Sequence, residues 1–217
     1  LIKKEFQLIK KYVYHLLGFI TIAFGIVGVI VSKLGAAPID AFNYFVYLIT
    51  PLSLGTVAII TGLVISLISY LIERKKDMLI SVIFLFVVGI FIDLWKYLFE
   101  FIPNEMSVSF YFRIPLAIIS IFIISFGVAM TITTGLPSSP FERLLMIINK
   151  KIKNLKLSKI LIETTFFVFA VILGLITKKL FEQVHIYTIV LVICLGPLIE
   201  YFVNILNNRK EKLNYES

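Results

Sequence analysis

Three carboxylates stand where a carboxylate is expensive. Asp93, Glu163 and Glu200 each lie inside a long apolar run of the 217-residue sequence. Ionisable groups within a membrane span are costly, and they either mark a substrate, ion or proton path or pair with a neighbour. Asp93 closes Gly89-Ile90-Phe91-Ile92-Asp93 and Glu200 closes Gly196-Pro197-Leu198-Ile199-Glu200. Each stands about two helical turns from the end of its run. Such a pair can bind a cation, relay protons or hold a substrate amine. The structural alternatives are snorkelling, a backbone cap or, for Asp93, pairing with Lys96 three residues on. Glu163 sits near the start of its run, with Lys159 four residues earlier and Arg143 as a second candidate partner. These three acids are the expected ligand-binding residues.

No other reactive constellation is spelled out. Cys194 is the one cysteine, so neither an internal disulfide nor a cysteine metal site is expected. His15 opens the first apolar run and reads as an interfacial residue, and His185 lies in the far half, so no metal-ligand spacing arises. Phosphate-loop, dinucleotide, zinc-protease and nucleophile-elbow motifs are all missing from the sequence. The expectation is a protein that is not an enzyme and uses no cofactor or metal.

The elements that must carry these acids are membrane spans. The sequence is 59% hydrophobic and 16% charged, whereas soluble domains run nearer half apolar and a quarter charged. A span needs about 20 apolar residues. Six such runs are read at about 12–31, 54–72, 78–99, 111–134, 157–177 and 186–206. The fold class is therefore an all-α membrane protein with the lipid bilayer as its first partner. The basic lead-in 1–11 resembles a signal-peptide n-region, but the apolar run behind it is too long, so an uncleaved first span is expected. Residues 73–77 read as a tight polar turn, 103–110 as a linker between two halves, and 207–217 as a frayed polar tail. Pro115 is expected in the first turn of the fourth span, where proline is tolerated.

Two stretches break the apolar runs in the same way. Leu34-Gly35-Ala36-Ala37-Pro38-Ile39-Asp40 introduces a short segment of about 39–50, and Leu136-Pro137-Ser138-Ser139-Pro140-Phe141-Glu142 introduces another of about 140–151. Both are too short to span and suit interfacial or re-entrant helices. Ser139, Pro140 and Glu142 form a capping box with proline at the first helical position. Gly35, Pro38 and Asp40 repeat the turn and the acid, though Ala37 has no capping side chain. The reading of these six residues is structural: acids at N3 complement the helix dipole.

Charge sets the expected orientation. With the N-terminus inside, sixteen of the 21 Lys and Arg fall on inner segments and five, Lys33, Lys96, Arg113, Lys178 and Lys179, on outer ones. That asymmetry predicts a multi-pass protein of the cytoplasmic membrane with both termini cytoplasmic. It also accounts for the net charge of +8 without nucleic acid as a partner.

The runs repeat. Residues 24–38 laid on 126–140 pair Phe24 with Phe126, Gly25 with Gly127, Ile30 with Ile132, Leu34 with Leu136 and Pro38 with Pro140. Asp40 then falls on Glu142, and Gly89 and Asp93 fall on Gly196 and Glu200. Three spans per copy make the second copy inverted, giving repeats 12–102 and 111–206 around the 103–110 linker. Leu34-Gly35-Ala36-Ala37-Pro38-Ile39-Asp40, Leu52-Ser53-Leu54-Gly55-Thr56 and the two glycine-to-acid motifs resemble those of the YczE/YitT group of bacterial integral membrane proteins, over roughly 12–206. Pro137 and Ile90 depart from that pattern. The resemblance implies architecture and location and adds little about substrate. Inverted repeats point to a transporter or permease for a small molecule or ion bound between the copies. The scarcity of other polar residues in the spans fits instead a membrane scaffold or accessory subunit, with a homo-oligomer or a membrane protein as partner.

Overall fold

In a computed structural model, residues 2–74, 78–136 and 139–215 are described. Leu1, Lys75, Lys76 and Asp77 of the expected polar turn, Pro137 and Ser138 of the second turn motif, and Glu216 and Ser217 lie outside them. The described chain is helical: α1 (Ile2–Ser32), α2 (Pro38–Ile49), α3 (Leu54–Glu73), α4 (Met78–Phe99), α5 (Asn104–Val108), α6 (Phe110–Thr134), α7 (Pro140–Ile152), α8 (Leu155–Ile176), α9 (Leu180–Gln183) and α10 (Ile186–Tyr215). Six stretches are long and apolar enough to cross a membrane: Leu8–Ser32, Leu54–Glu73, Ser81–Phe99, Phe110–Thr134, Leu155–Ile176 and Leu180–Asn208. The protein is a multi-pass membrane protein.

Local chemistry sets the helix ends. Ser53 accepts the Thr56 N–H at the start of α3, Ser139 accepts the Glu142 N–H at the start of α7, and Asn154 accepts the Leu157 N–H at the start of α8. Each satisfies one of the N–H groups that a helix start leaves without a partner. Ala37 makes no side-chain cap for α2, as its methyl group dictates. Gly35 takes φ +126, a conformation that an L side chain rarely adopts, and the neighbouring Ala36 N–H binds the Gln183 carbonyl at 2.9 Å. The turn after α1 is thereby tied to α9.

Four boundaries differ from the sequence reading. The basic lead-in is the first part of α1, and the tail continues α10 to Tyr215, because charged residues with good helix propensity extend a helix that is already nucleated. The linker contains α5. Pro115 is the sixth residue of α6, just past the first turn, since the helix begins at Phe110, one residue before the expected start.

The centre of the bundle is the antiparallel pair of α1 and α6, whose contact is the most extensive in the chain. Glycines let the two backbones approach. A Cβ on Gly127 would sit 2.8 Å from the Gly18 carbonyl oxygen, and one on Gly18 would sit 3.0 Å from that of Gly127. Further along, a Cβ on Gly25 would meet Ile124 at 2.5 Å. Small residues at such seams supply close packing where lipid removes the hydrophobic drive for helix association. α4 lies on α1, α10 on α6, α2 on α8, and α7 on both α3 and α8. Gly196, by contrast, has open space around it on α10.

Gly127→Ala is expected to cost about 1–3 kcal/mol through overpacking, and Gly196→Ala to be neutral or slightly stabilising through helix propensity. Thermal unfolding of the purified variants in detergent checks the pair. Equal effects at the two glycines would contradict the seam.

Candidate functional site

A cavity of about 610 Å³ lies among the long helices, and every one of them contributes to its wall. Most of the lining is apolar. The polar groups are few and come from separate elements: His15 from α1, Asp40 and Asn43 from α2, Thr61 from α3, Ser81 from α4, Thr131 from α6, Ser139 and Glu142 from the start of α7, and Lys159 and Glu163 from α8. A mostly apolar wall with a few placed polar groups is the usual constitution of a small-molecule site.

α2 and α7 deliver two of the acids. They are 12 and 13 residues long, so each rises about 18–20 Å and cannot cross a hydrocarbon layer of about 30 Å. Each begins with proline and carries its acid in the first turn. Phe42 of α2 and Phe141 of α7 both pack on Phe166 of α8, with ring centroids 5.6 and 6.5 Å away. That shared ring anchors both short helices to α8 at the cavity.

Electrostatics in the wall follow from burial. The Asp40 carboxyl is pushed up to about 7 by desolvation alone. Burial also raises the Glu142 carboxyl, and the Ser139 backbone N–H donating to it pulls partly the other way. With Ser139 accepting the Glu142 N–H at 3.3 Å, the capping box is closed in both directions. Glu163 faces Lys159 at 3.5 Å, one turn away on α8. Arg143, the other candidate partner, instead lies 3.7 Å from Glu73, which Lys150 also contacts.

The remaining polar groups are held firmly. Thr61 donates to the Asn43 side-chain oxygen at 2.7 Å. His15 is 1% exposed, with its ring edge-on to Phe19 and Phe84 and its Nδ1 2.8 Å from the Thr134 hydroxyl. Thr134 donates its own proton to the Thr131 carbonyl at 2.6 Å, which leaves its oxygen free to accept from Nδ1 of His15. His15 is therefore a buried cavity residue and not the interfacial one its sequence position suggested.

Of the three acids expected to bind ligand, Glu163 lines the cavity and the other two do not. Asp93 accepts the Ser53 hydroxyl at 2.5 Å and the Gly55 N–H at 2.7 Å. It caps the start of α3, where Gly55 has no room for a side chain because the Gly89 backbone and Asp93 lie against it. Lys96 turns to Glu100 at 2.6 Å and not to Asp93. Glu200 is exposed on α10. Asp40 and Glu142, read as structural, line the cavity as well. Among the described residues no group of three His, Cys, Asp or Glu is placed to hold a metal.

Asp40 makes stability depend on pH with a defined sign. Its folded value of about 7 lies above the unfolded 3.8, so the folded state keeps a proton that the unfolded state releases. Its contribution is full below about pH 4, falls as pH rises, and levels off above about 7. Unfolding temperatures measured from pH 5 to 8 should decline less steeply in Asp40→Asn than in the wild type. A slope unchanged by the substitution would contradict the burial of this group.

Residues 9–204 match a protein family described as a family of unknown function, DUF6198, and the chain belongs to it. It is similar to the uncharacterized protein YyaS of Bacillus subtilis (strain 168), with 29% identity over 166 residues, 75% of this chain and 80% of that protein. It is also similar to the uncharacterized membrane protein YczE of the same organism, with 26% identity over 146 residues, 67% of this chain and 66% of that protein. No solved structure matches it.

Proposed function

We propose that this member of the DUF6198 family is a carrier for a small, partly apolar molecule that bears a positive charge. The observation that carries this reading is the single cavity lined by Asp40, Glu142 and Glu163 from three separate helices. A volume of about 610 Å³ suits a small organic molecule. Three carboxyl groups against one lysine give the cavity an excess of negative charge once a bound cation draws off their protons, and Lys159 is engaged by Glu163. A proton held by Asp40 near neutrality can be exchanged for a substrate cation, which couples binding to proton release. Neither a nucleophile–base pair nor a cofactor enters this reading.

The working unit is two inverted three-span repeats, 12–102 and 111–206. Support comes from the wall of the cavity. Ile22, Ile26, Pro38 and Asp40 line it, and so do Ile124, Val128, Pro140 and Glu142, at one constant spacing along the chain. Val88 and Ile92 of α4 are matched in the same way by Leu195 and Ile199 of α10. Helix contacts agree in part: α4 on α1 is matched by α10 on α6, and α2 on α8 by α7 on α3. The extensive α3–α4 contact has no counterpart of similar extent between α8 and α10. In a carrier of this plan the two repeats rock about the site between them, so that access alternates.

A second reading, a membrane scaffold or accessory subunit, draws support from α10. Glu200 is exposed there, and Gly196 has nothing packed on it. A partner within the bilayer would satisfy both.

Binding of lipophilic cations separates the readings. Tetraphenylphosphonium or benzylamine should raise the unfolding temperature of the purified protein, and benzoate should not. Asp40→Asn combined with Glu163→Gln should weaken cation binding about tenfold or more, which is about 1.4 kcal/mol. Asp93→Asn should lower stability by about 1–3 kcal/mol, the cost of an unpaired donor, and leave cation affinity unchanged. Indifference to cations, or affinity unaffected by neutralising the cavity acids, would sink the carrier reading.

A further inference from the structure

A second hollow, of about 790 Å³, opens where α1, α4 and α8 end and α6 begins. Neighbouring residues of α1 divide the two spaces between them: Ile26 and Val29 face the cavity, Val27 and Ile30 the hollow. The same wall runs through α2, with Asp40 and Asn43 on the cavity and Tyr44 and Tyr47 on the hollow. The deeper lining of the hollow is apolar, from Val27, Ile30, Leu54 and Phe99.

Its charged lining is unusual in being complete. Lys33, Lys96, Arg113, Lys178 and Lys179 all line it. They are every Lys and Arg that the six-span reading assigns to that end of the helices. Cations placed only to anchor spans in headgroups would be spread around the perimeter. Here they surround one opening.

The acids present do not neutralise them. Glu182 is taken by Lys33 at 3.4 Å and accepts the Tyr44 hydroxyl. Glu100 is taken by Lys96 at 2.6 Å. Arg113 donates to the Ser32 and Lys33 carbonyls, closing the end of α1 with its charge uncancelled. Lys178 and Lys179 make no ion pair among the described residues. Lys33 and Lys178 also occupy left-handed turns, φ 51 and 57.

We propose that this hollow is a binding site for a phosphate group carried on an apolar stem, with Lys178 and Lys179 as its free cations and Arg113 beside them. The phosphate meets the basic rim, and the stem lies against Val27, Ile30 and Phe99. An anionic phospholipid headgroup and a soluble organic phosphate share this chemistry. The site is independent of the acid-lined cavity, whose charge is opposite.

Native mass spectrometry of the detergent-purified protein tests the lipid arm, with phosphatidylglycerol offered against phosphatidylcholine of the same acyl chains. The wild type should retain phosphatidylglycerol preferentially. Lys178→Gln with Lys179→Gln should lose that preference by about thirtyfold, which is about 2 kcal/mol for the two lysines near an anionic surface. Lys151→Gln with Lys156→Gln, at the opposite ends of the helices, should keep it. Inorganic phosphate tests the soluble arm through the unfolding temperature. If phosphate stabilises the wild type but not Lys178→Gln/Lys179→Gln, while the two lipids are retained alike, the soluble form is the ligand and the site stands. The proposal is overturned if neither probe distinguishes that variant from the wild type. Far-ultraviolet circular dichroism of each variant establishes that the fold is retained.

Discussion

The close approach of α1 and α6 is the contact on which the rest of the bundle hangs. Gly18 and Gly127 bring two backbones together where any side chain would strike a carbonyl oxygen. α4 then packs on α1 and α10 on α6, so two of the remaining spans are positioned by that seam. In lipid, apolar surface alone does not hold helices together, and shape at the contact has to do so. A second glycine pair repeats the device between α3 and α4, at Gly55 and Gly89, and Asp93 fastens it by capping the first turn of α3.

The cavity follows from helices that are too short. α2 and α7 are too short to span, and their first turns line the cavity. A helix start carries N–H groups without partners and a partial positive charge. Ser139 and Glu142 satisfy these at α7, and Asp40 supplies the matching acid at α2. The same carboxylates that serve the helix starts then face a mostly apolar space, where desolvation favours their protonated form. Structure and chemistry are coupled at these two residues: the groups that make a half-length helix tolerable in the bundle are the ones that make its cavity acidic.

Much of this was legible in the sequence. The six spans, the two short helices, the capping box at Ser139 and the turn at Gly35 all depend on local pattern, and local pattern survives folding. What the pattern could not supply was the direction in which each helix faces. Asp93 and Glu163 both lie inside apolar runs, and depth within the run is all the sequence states. Asp93 is claimed by Ser53 and Gly55, some forty residues earlier in the chain, while Glu163 is turned to the cavity. His15 shows the same limit: a place near the beginning of a run suggests the interface, whereas the ring is buried against Phe19 and Phe84. Glu200 matches Asp93 in the repeat pattern but not in surroundings, because α10 has no close glycine contact with α8.

The central claim is that an acidic, reachable cavity lies between the two halves of the chain. Charge-selective thiol labelling measures it directly. In a Cys194→Ser background, Ile39→Cys places a single thiol in the cavity wall beside Asp40. Its reaction with a cationic methanethiosulfonate should outpace that with an anionic one by about tenfold or more, each rate normalised to a free thiol, as expected for a cleft that focuses charge of one sign. That ratio should fall toward one when Asp40→Asn, Glu142→Gln and Glu163→Gln are added. A ratio near one from the start, or one that persists without the three carboxylates, would contradict the account.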